Sequence, residues 1–189
     1  MVLDHAQRQG AEVALVGGLA VSVHTEPRFT RDIDLVVAVR DDAEAEAFVG
    51  ALIAEGHDLL ATVEQEAVGR LATARLRLRD GSLVDLLFAS SGIEPEIAAA
   101  ADELEVLPGL FVPVITLAHL IAVKVLARDD RARPQDIADL RYLLDVADPD
   151  DVAAAYDALR LIMERHFHRG RDLTGALDDL RRESGWSGV

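Results

Sequence analysis

Short apolar runs alternate with longer mixed stretches in the first half of the chain, a pattern typical of strands separated by helices. Residues 11–18, AEVALVGG, predict a strand that ends in two glycines, and residues 19–26 predict the helix that follows. Residues 31–39, RDIDLVVAV, predict the next strand. Residues 41–56 predict a helix, because they carry acids in the first turn, a helical apolar stripe and a closing glycine.

Two hairpins are predicted next. Residues 73–89, TARLRLRDGSLVDLLFA, predict the first, because its first arm alternates apolar and charged residues before an Asp-Gly turn. Residues 91–104 predict a short helix, and residues 105–115 predict a smaller hairpin around a Pro-Gly pair.

From Thr116 onward the apolar residues recur at helical spacing. Thr116 can cap the first helix, and Pro134 suits the first turn of the second. Four helices are predicted, over residues 117–130, 134–147, 148–167 and 172–183. The whole pattern predicts an α/β fold of the α+β type. Its mixed central sheet of four strands with flanking helices spans residues 1–115, and a helical C-terminal bundle over residues 116–189 packs on this core.

The composition describes a folded globular chain of 189 residues, half of them hydrophobic. Charged residues interrupt every apolar run before it reaches the length of a membrane span, and the first residues lack a signal-peptide pattern. A cytoplasmic location without membrane contact is therefore expected. The chain has no cysteine, which excludes disulfides, thiol catalysis and cysteine zinc sites.

The net charge of −15 argues against a broad basic face that coats nucleic acid. Positive charge is nevertheless concentrated in two segments: residues 70–79 carry four arginines and residues 165–171 carry three. A local basic groove remains compatible with the acidic composition.

Three aspartates stand in otherwise apolar strands. Asp32 and Asp34 project from the same face, since side chains alternate along a strand, and Asp85 lies in the second arm of the first hairpin. Carboxylates aimed at one point repel each other unless a cation lies between them, and Mg²⁺ favours carboxylate oxygen. Three such residues suit a two-metal phosphoryl-transfer site, with metals roughly 3.5–4 Å apart. The alternative is that each aspartate caps a loop at a strand edge, which would be the favoured interpretation of Asp32 alone.

Gly17 and Gly18 lie between a predicted strand and a predicted helix. Glycines there let backbone N–H groups approach a phosphate at a helix N-terminus. A tight strand-to-helix turn also favours glycine for steric reasons alone, so the pair gains weight only from the Asp32 and Asp34 strand that follows.

These segments resemble a known family. Residues 16–37, VGGLAVSVHTEPRFTRDIDLVV, resemble the signature of the DNA polymerase β-like nucleotidyltransferase superfamily: a glycine turn, a helix, then Asp-x-Asp on a strand. Together with residues 112–144, they are similar to the abortive-infection (AbiEii-type) nucleotidyltransferase toxins of type IV toxin–antitoxin systems. The superfamily often has serine where this chain has Gly18, so a phosphate contact there would be made by backbone or by a nearby hydroxyl such as that of Ser22.

The resemblance implies a nucleotidyltransferase fold and a role for individual residues. Asp32 and Asp34 would be metal ligands, and Asp85 the third carboxylate, acting as ligand or as base. Lys124 would face the triphosphate of the NTP, and Asp136 corresponds to the acid of the family's RPxD element. The residues implied in catalysis are Asp32, Asp34, Asp85, Lys124 and Asp136, and those in nucleotide binding are Gly17, Gly18, Arg28, Thr30 and Lys124.

Two of these residues have simpler alternatives. Lys124 is the one charge on an apolar helical stripe with Leu117 and Ile121, and a lysine can extend its charge past such a stripe to water. A cation that faces a triphosphate explains the position better. Asp136 lies in the first turn of a helix, where an acid is ordinary complementation of the helix dipole.

Three functions stay open. The favoured one is Mg²⁺-dependent transfer of a nucleoside monophosphate from an NTP to a hydroxyl; the resemblance implies a toxin that modifies tRNA, with an antitoxin encoded by a neighbouring gene. The second keeps the chemistry but uses a small cationic acceptor, as aminoglycoside- and lincosamide-type nucleotidyltransferases do. The third is a non-catalytic antitoxin or binding relative, which the presence of all three carboxylates disfavours.

An RNA acceptor would need arginines near the carboxylates. A two-residue turn in the first hairpin would turn its arginines away from Asp85, whereas a three-residue loop would place Arg77 opposite Asp85. We expect Arg28, Arg31 and at least one of the two arginine-rich segments to border the cleft.

Overall fold

The protein forms one mixed sheet flanked by helices. The structure is a computed structural model that describes residues 2–26, 30, 32–65, 69–129 and 134–185. In that part of the chain the strands are β1 (Val13–Val16), β2 (Asp32–Val37), β3 (Asp58–Gln65), β4 (Arg70–Arg77), β5 (Leu83–Leu87), β6 (Asp102–Leu107) and β7 (Leu110–Val114). The helices are α1 (Val2–Gln9), α2 (Gly17–His24), α3 (Asp42–Ala54), α4 (Glu94–Ala99), α5 (Leu117–Ala127), α6 (Pro134–Val146), α7 (Pro149–Glu164) and α8 (Leu173–Ser184).

Strand β2 lies at the centre of the sheet, whose order is β3-β4-β5-β2-β1-β7-β6. It pairs antiparallel with β1 and parallel with β5. Strands β1 and β7 are also parallel, whereas the pairs β3–β4, β4–β5 and β6–β7 are antiparallel. The predicted mixed sheet is confirmed, and so is the side-by-side placement of the two strands that carry the aspartates.

The prediction of four strands is wrong, because the described residues form a seven-stranded sheet. The second hairpin, β6–β7, joins this sheet through β1. Strand β3 and helix α1 were not predicted at all. Nearly every residue of β3 is exposed, so no buried face imposes the alternating pattern by which a strand is recognised.

The helix starts follow local signals. The Thr116 hydroxyl accepts the first-turn N–H of His119 at 3.4 Å, as the predicted cap requires. Asp148 and Asp151 form a reciprocal capping box at the start of α7. These caps satisfy backbone donors that a helix N-terminus otherwise leaves without partners.

One buried core runs from the sheet into the C-terminal helices. Helix α5 lies in its middle, packed against α2, α6 and α7, with Leu120, Ile121 and Val125 fully buried. The division into a catalytic core over residues 1–115 and a helical region over 116–189 stays a prediction. No helix in the described part of the chain is long and apolar enough to cross a membrane.

Candidate active site

Asp34 and Asp85 are direct neighbours on the parallel strands β2 and β5. Asp32, two residues before Asp34 on β2, projects from the same face. Two chain segments that are far apart in sequence therefore bring three carboxylates together at one end of the central strands. Their placement agrees with the predicted cluster, although placement alone does not test their roles.

The glycine turn is shaped around Asp34. Gly17 has φ +65°, and a Cβ at this position would lie 1.9 Å from the Asp34 Oδ2 atom. The backbone N–H of Gly18 faces the Asp34 carboxylate and acts to lower its pKa. Glycine is thus required here by the close approach of a carboxylate, in addition to the turn itself.

Asp34 carries the least compensated charge of the cluster. Burial raises its pKa from 3.8 to about 6, and the negative charges of Asp85 and Asp32 contribute to the rise. The Gly18 N–H and the positive charge of Lys124 oppose it. A carboxylate with a pKa raised this way favours the arrival of a proton or a cation.

Arg75 belongs to the arginine-rich segment that was expected to border the cleft as a phosphate-binding surface; in the structure it neutralises the other two carboxylates. It lies opposite Asp85 in the β4–β5 pair, and its Nε and Nη2 atoms donate to the two Asp85 oxygens at 2.7 and 2.5 Å. The same Nη2 lies 3.3 Å from Asp32 Oδ2. This forked geometry is the strong form of an arginine–carboxylate pair.

The hairpin register differs from both loop lengths that were considered. Arg77 lies opposite Leu83 and Arg75 opposite Asp85, so five residues, 78–82, separate the strands. Inside this loop the Ser82 carbonyl accepts the Leu78 N–H at 2.8 Å. Neither alternative gives the observed register, in which Arg75, two residues before Arg77, lies opposite Asp85; the arginine-bearing face of β4 is nevertheless the face of Asp85, as the three-residue loop would also have placed it.

Lys124 forms a second charged cluster on the other side of the cleft. Its ammonium donates to Asp136 Oδ1 at 2.9 Å and to Asp139 Oδ2 at 2.7 Å. The two aspartates are only 3% and 2% exposed, so the lysine is a buried counter-ion rather than a charge that extends to water. Asp136 is therefore more than a helix-dipole partner. Asp139 was missed, although its i+3 spacing from Asp136 on α6 was a usable signal.

A cleft of about 1300 Å³ joins these groups. Gly17, Gly18 and Thr30 border it, as do both charged clusters and the arginines Arg169 and Arg171 from the second arginine-rich segment. Arg28 and Arg31 lie outside the described residues, so the structure does not locate them. The expectation that an arginine-rich segment borders the cleft is met by both segments.

The loop after β5 forms one wall of the cleft through Ser90 and Ser91. Buried Glu94, 1% exposed, holds this loop. Its Oε1 accepts the backbone N–H and hydroxyl of both serines at 2.6–3.0 Å, and its Oε2 accepts the Gly92 N–H at 2.9 Å. The sequence placed Glu94 in the short helix predicted over residues 91–104 and gave it no further role, because the loop that folds around its side chain has no recognisable sequence pattern.

The donor set suits a hard cation such as Mg²⁺, since Asp32, Asp34 and Asp85 offer only carboxylate oxygen. Their present arrangement does not form a ligand sphere. In the part of the chain that is described, no three acidic or histidine side chains converge on one point that could hold a metal ion. The Arg75 guanidinium lies between Asp32 and Asp85 instead.

Solved structures with a similar fold are nucleotidyltransferases. The solution structure of the antibiotic-resistance factor ANT(2″)-Ia matches 89% of this chain and 94% of its own, at TM-score 0.53 and 22% identity. Its crystal structure with adenylyl-2″-tobramycin matches 84% and 92%, at TM-score 0.53 and 20% identity. An antigenic nucleotidyltransferase-like protein from Paracoccidioides brasiliensis matches 94% and 89%, at TM-score 0.51 and 19% identity. No curated protein sequence matches the chain.

The fold, with carboxylates on its central strands beside a glycine turn, is that of a DNA polymerase β-like nucleotidyltransferase. The chain belongs to the family described as "Nucleotidyl transferase AbiEii toxin, Type IV TA system", whose sequence model matches residues 2–187. It is therefore an enzyme of the nucleotidyltransferase class. The predicted family and the predicted enzyme class are both confirmed.

Proposed function

We propose that this enzyme transfers a nucleoside monophosphate from an NTP to a hydroxyl of tRNA, with Mg²⁺ and in the cytoplasm. The observation that carries the proposal is the pairing of Asp34 with Asp85 beside the Gly17 turn, inside a cleft large enough for a nucleotide. The family description supports the toxin assignment and an antitoxin as protein partner.

The chain's own residues divide the work. Asp32, Asp34 and Asp85 would hold Mg²⁺, which would supply charge neutralisation on the phosphates. A carboxylate of this cluster, Asp85 in the first place, accepts the proton of the attacking hydroxyl. The new bond joins the acceptor oxygen to the α-phosphorus, and the bond to pyrophosphate breaks.

The opposite wall binds the nucleotide. The Lys124 ammonium, held by Asp136 and Asp139, has a third N–H to offer to a phosphate oxygen. Gly17 and Gly18 allow the backbone to approach the phosphates, and Arg28 and Thr30 assist from the segment before β2. Arg169 and Arg171 border the cleft where an RNA backbone could enter.

The decisive experiment incubates the protein with each labelled NTP, Mg²⁺ and total RNA. We expect one NTP to label RNA of tRNA size, with pyrophosphate released. The Asp34→Asn variant serves as the control, because it keeps the shape of the side chain and loses the charge. Absence of RNA labelling with all four NTPs would overturn the tRNA assignment.

A small cationic acceptor is the second candidate, favoured by the net charge of −15 and by the aspartates that line the cleft. One structural neighbour was solved with an adenylylated aminoglycoside, adenylyl-2″-tobramycin. Adding aminoglycosides or lincosamides to the same reaction separates the candidates, since the label then appears in a small molecule. If the protein labels neither acceptor but binds a partner protein, the third function, a non-catalytic antitoxin or binding relative, is favoured.

A further inference from the structure

Arg75 lies between Asp32 and Asp85, two of the three carboxylates that would share a cation. Its guanidinium contacts both oxygens of Asp85 and the Oδ2 atom of Asp32. The Asp85 side chain is 16% exposed, whereas Arg75 and Asp32 are 42% and 39% exposed. The arginine therefore reaches in from a solvent-accessible position and can leave without disturbing the core.

A guanidinium and a divalent cation compete for these oxygens. The Asp85 oxygens are already directed at two N–H groups, and a second positive charge close to them is repelled by the guanidinium. Cation entry therefore favours release of the Arg75 contacts.

We propose that Arg75 is an exchangeable internal counter-cation, which keeps the carboxylate cluster neutralised until a divalent cation displaces it into the cleft. Displaced from Asp85, the guanidinium remains in the cleft, where a nucleotide phosphate can accept its hydrogen bonds. Arg75 is then a positioning residue that couples cation binding to nucleotide binding. The inference rests on the proposed function only for the identity of the cation site.

Manganese binding tests this exchange without any transfer reaction. Mn²⁺ is titrated into the full chain, free of nucleotide, and the unbound ion is measured by electron paramagnetic resonance. We expect Arg75→Gln to bind Mn²⁺ at least tenfold more tightly than the natural chain, and Asp85→Asn added to that variant to abolish the gain. Arg77→Gln is the matched control: Arg77 lies on the same face of β4 but opposite Leu83, so its removal should leave Mn²⁺ affinity unchanged.

A second measurement needs no variant, in case Arg75→Gln folds poorly. Phenylglyoxal modifies accessible guanidinium groups, and mass spectrometry reports the rate at each arginine. Mn²⁺ should accelerate modification of Arg75 severalfold and leave Arg77 unchanged. An unaltered or slower rate at Arg75, or unchanged Mn²⁺ affinity in a folded Arg75→Gln variant, would overturn the proposal.

The outcomes separate this inference from the proposed function. If the natural chain labels an acceptor in Mg²⁺ but Mn²⁺ never affects Arg75, transfer stands and the exchange is wrong. If the exchange occurs but no acceptor is labelled, Arg75 has the inferred role and the proposed reaction is wrong.

Discussion

Individual charged residues in the cleft differ in how their charge is compensated. Asp85 and Asp32 share the Arg75 guanidinium as counter-ion. Asp34 instead faces the backbone N–H of Gly18 and lies next to the negative charges of Asp85 and Asp32. Substitutions that look equivalent in the sequence should therefore have different effects on stability.

Asp34→Asn should abolish transfer and stabilise the metal-free protein at neutral pH. The folded-state pKa is about 6 and the unfolded value is 3.8, so the native state binds the extra proton and its stability falls as pH rises between these values. Relative to the natural chain, the Asp34→Asn variant gains at most about 3 kcal/mol in free energy of unfolding above pH 7, and this gain vanishes near pH 4. Thermal melting at both pH values measures it. Asp32→Asn should gain less, because it also removes an Arg75 contact, and equal gains would contradict this account.

Lys124→Met should lower the free energy of unfolding by about 3–5 kcal/mol, because it removes the Lys124 ammonium from two buried carboxylates, Asp136 and Asp139. Denaturant unfolding of Lys124→Met, of Asp139→Asn and of the double variant measures the coupling. Additive losses would show that the two side chains do not interact.

Single elements account for most of what the sequence could and could not predict. Strands β1, β2 and β4 to β7 and helices α2 to α8 carry their own periodicity, caps or turns, and sequence reasoning found them. Strand β3 and helix α1 lack such signals. The contacts of Arg75 and Glu94 could not be predicted, because strand register and loop folding, rather than neighbours in sequence, set their partners.

The loop before α4 offers a test at this scale. Glu94→Gln should lower the free energy of unfolding by about 2 kcal/mol, because Glu94 is a buried charged acceptor of hydrogen bonds from three residues. Glu96→Gln on the same helix is the control; its half-exposed pair with Arg165 should be worth less than about 1 kcal/mol. Urea unfolding of the two variants compares them, and equal losses would mean that Glu94 does not organise the loop.

At the scale of the whole molecule, an acidic protein must meet RNA through a small basic region. If RNA is the acceptor and two of its phosphates contact the protein, the RNA affinity and with it the labelling should fall roughly tenfold between 50 and 200 mM salt. Arg169→Glu should cut RNA labelling severalfold without changing NTP affinity, because Arg169 borders the cleft. Arg160→Glu is the matched control, since Arg160 pairs with Asp157 on α7. Salt-insensitive labelling would favour a small cationic acceptor.

The parallel pairing of β2 with β5 has a consequence for the order of synthesis. Asp34 leaves the ribosome about fifty residues before Asp85, and Arg169 and Arg171, which also line the cleft, follow much later in the chain. A nascent or proteolytically clipped chain that lacks them holds the acids but not the complete set of walls, and pairing over such separations forms late in folding. The complete cleft thus requires synthesis to pass Arg171, long after all three carboxylates have been made.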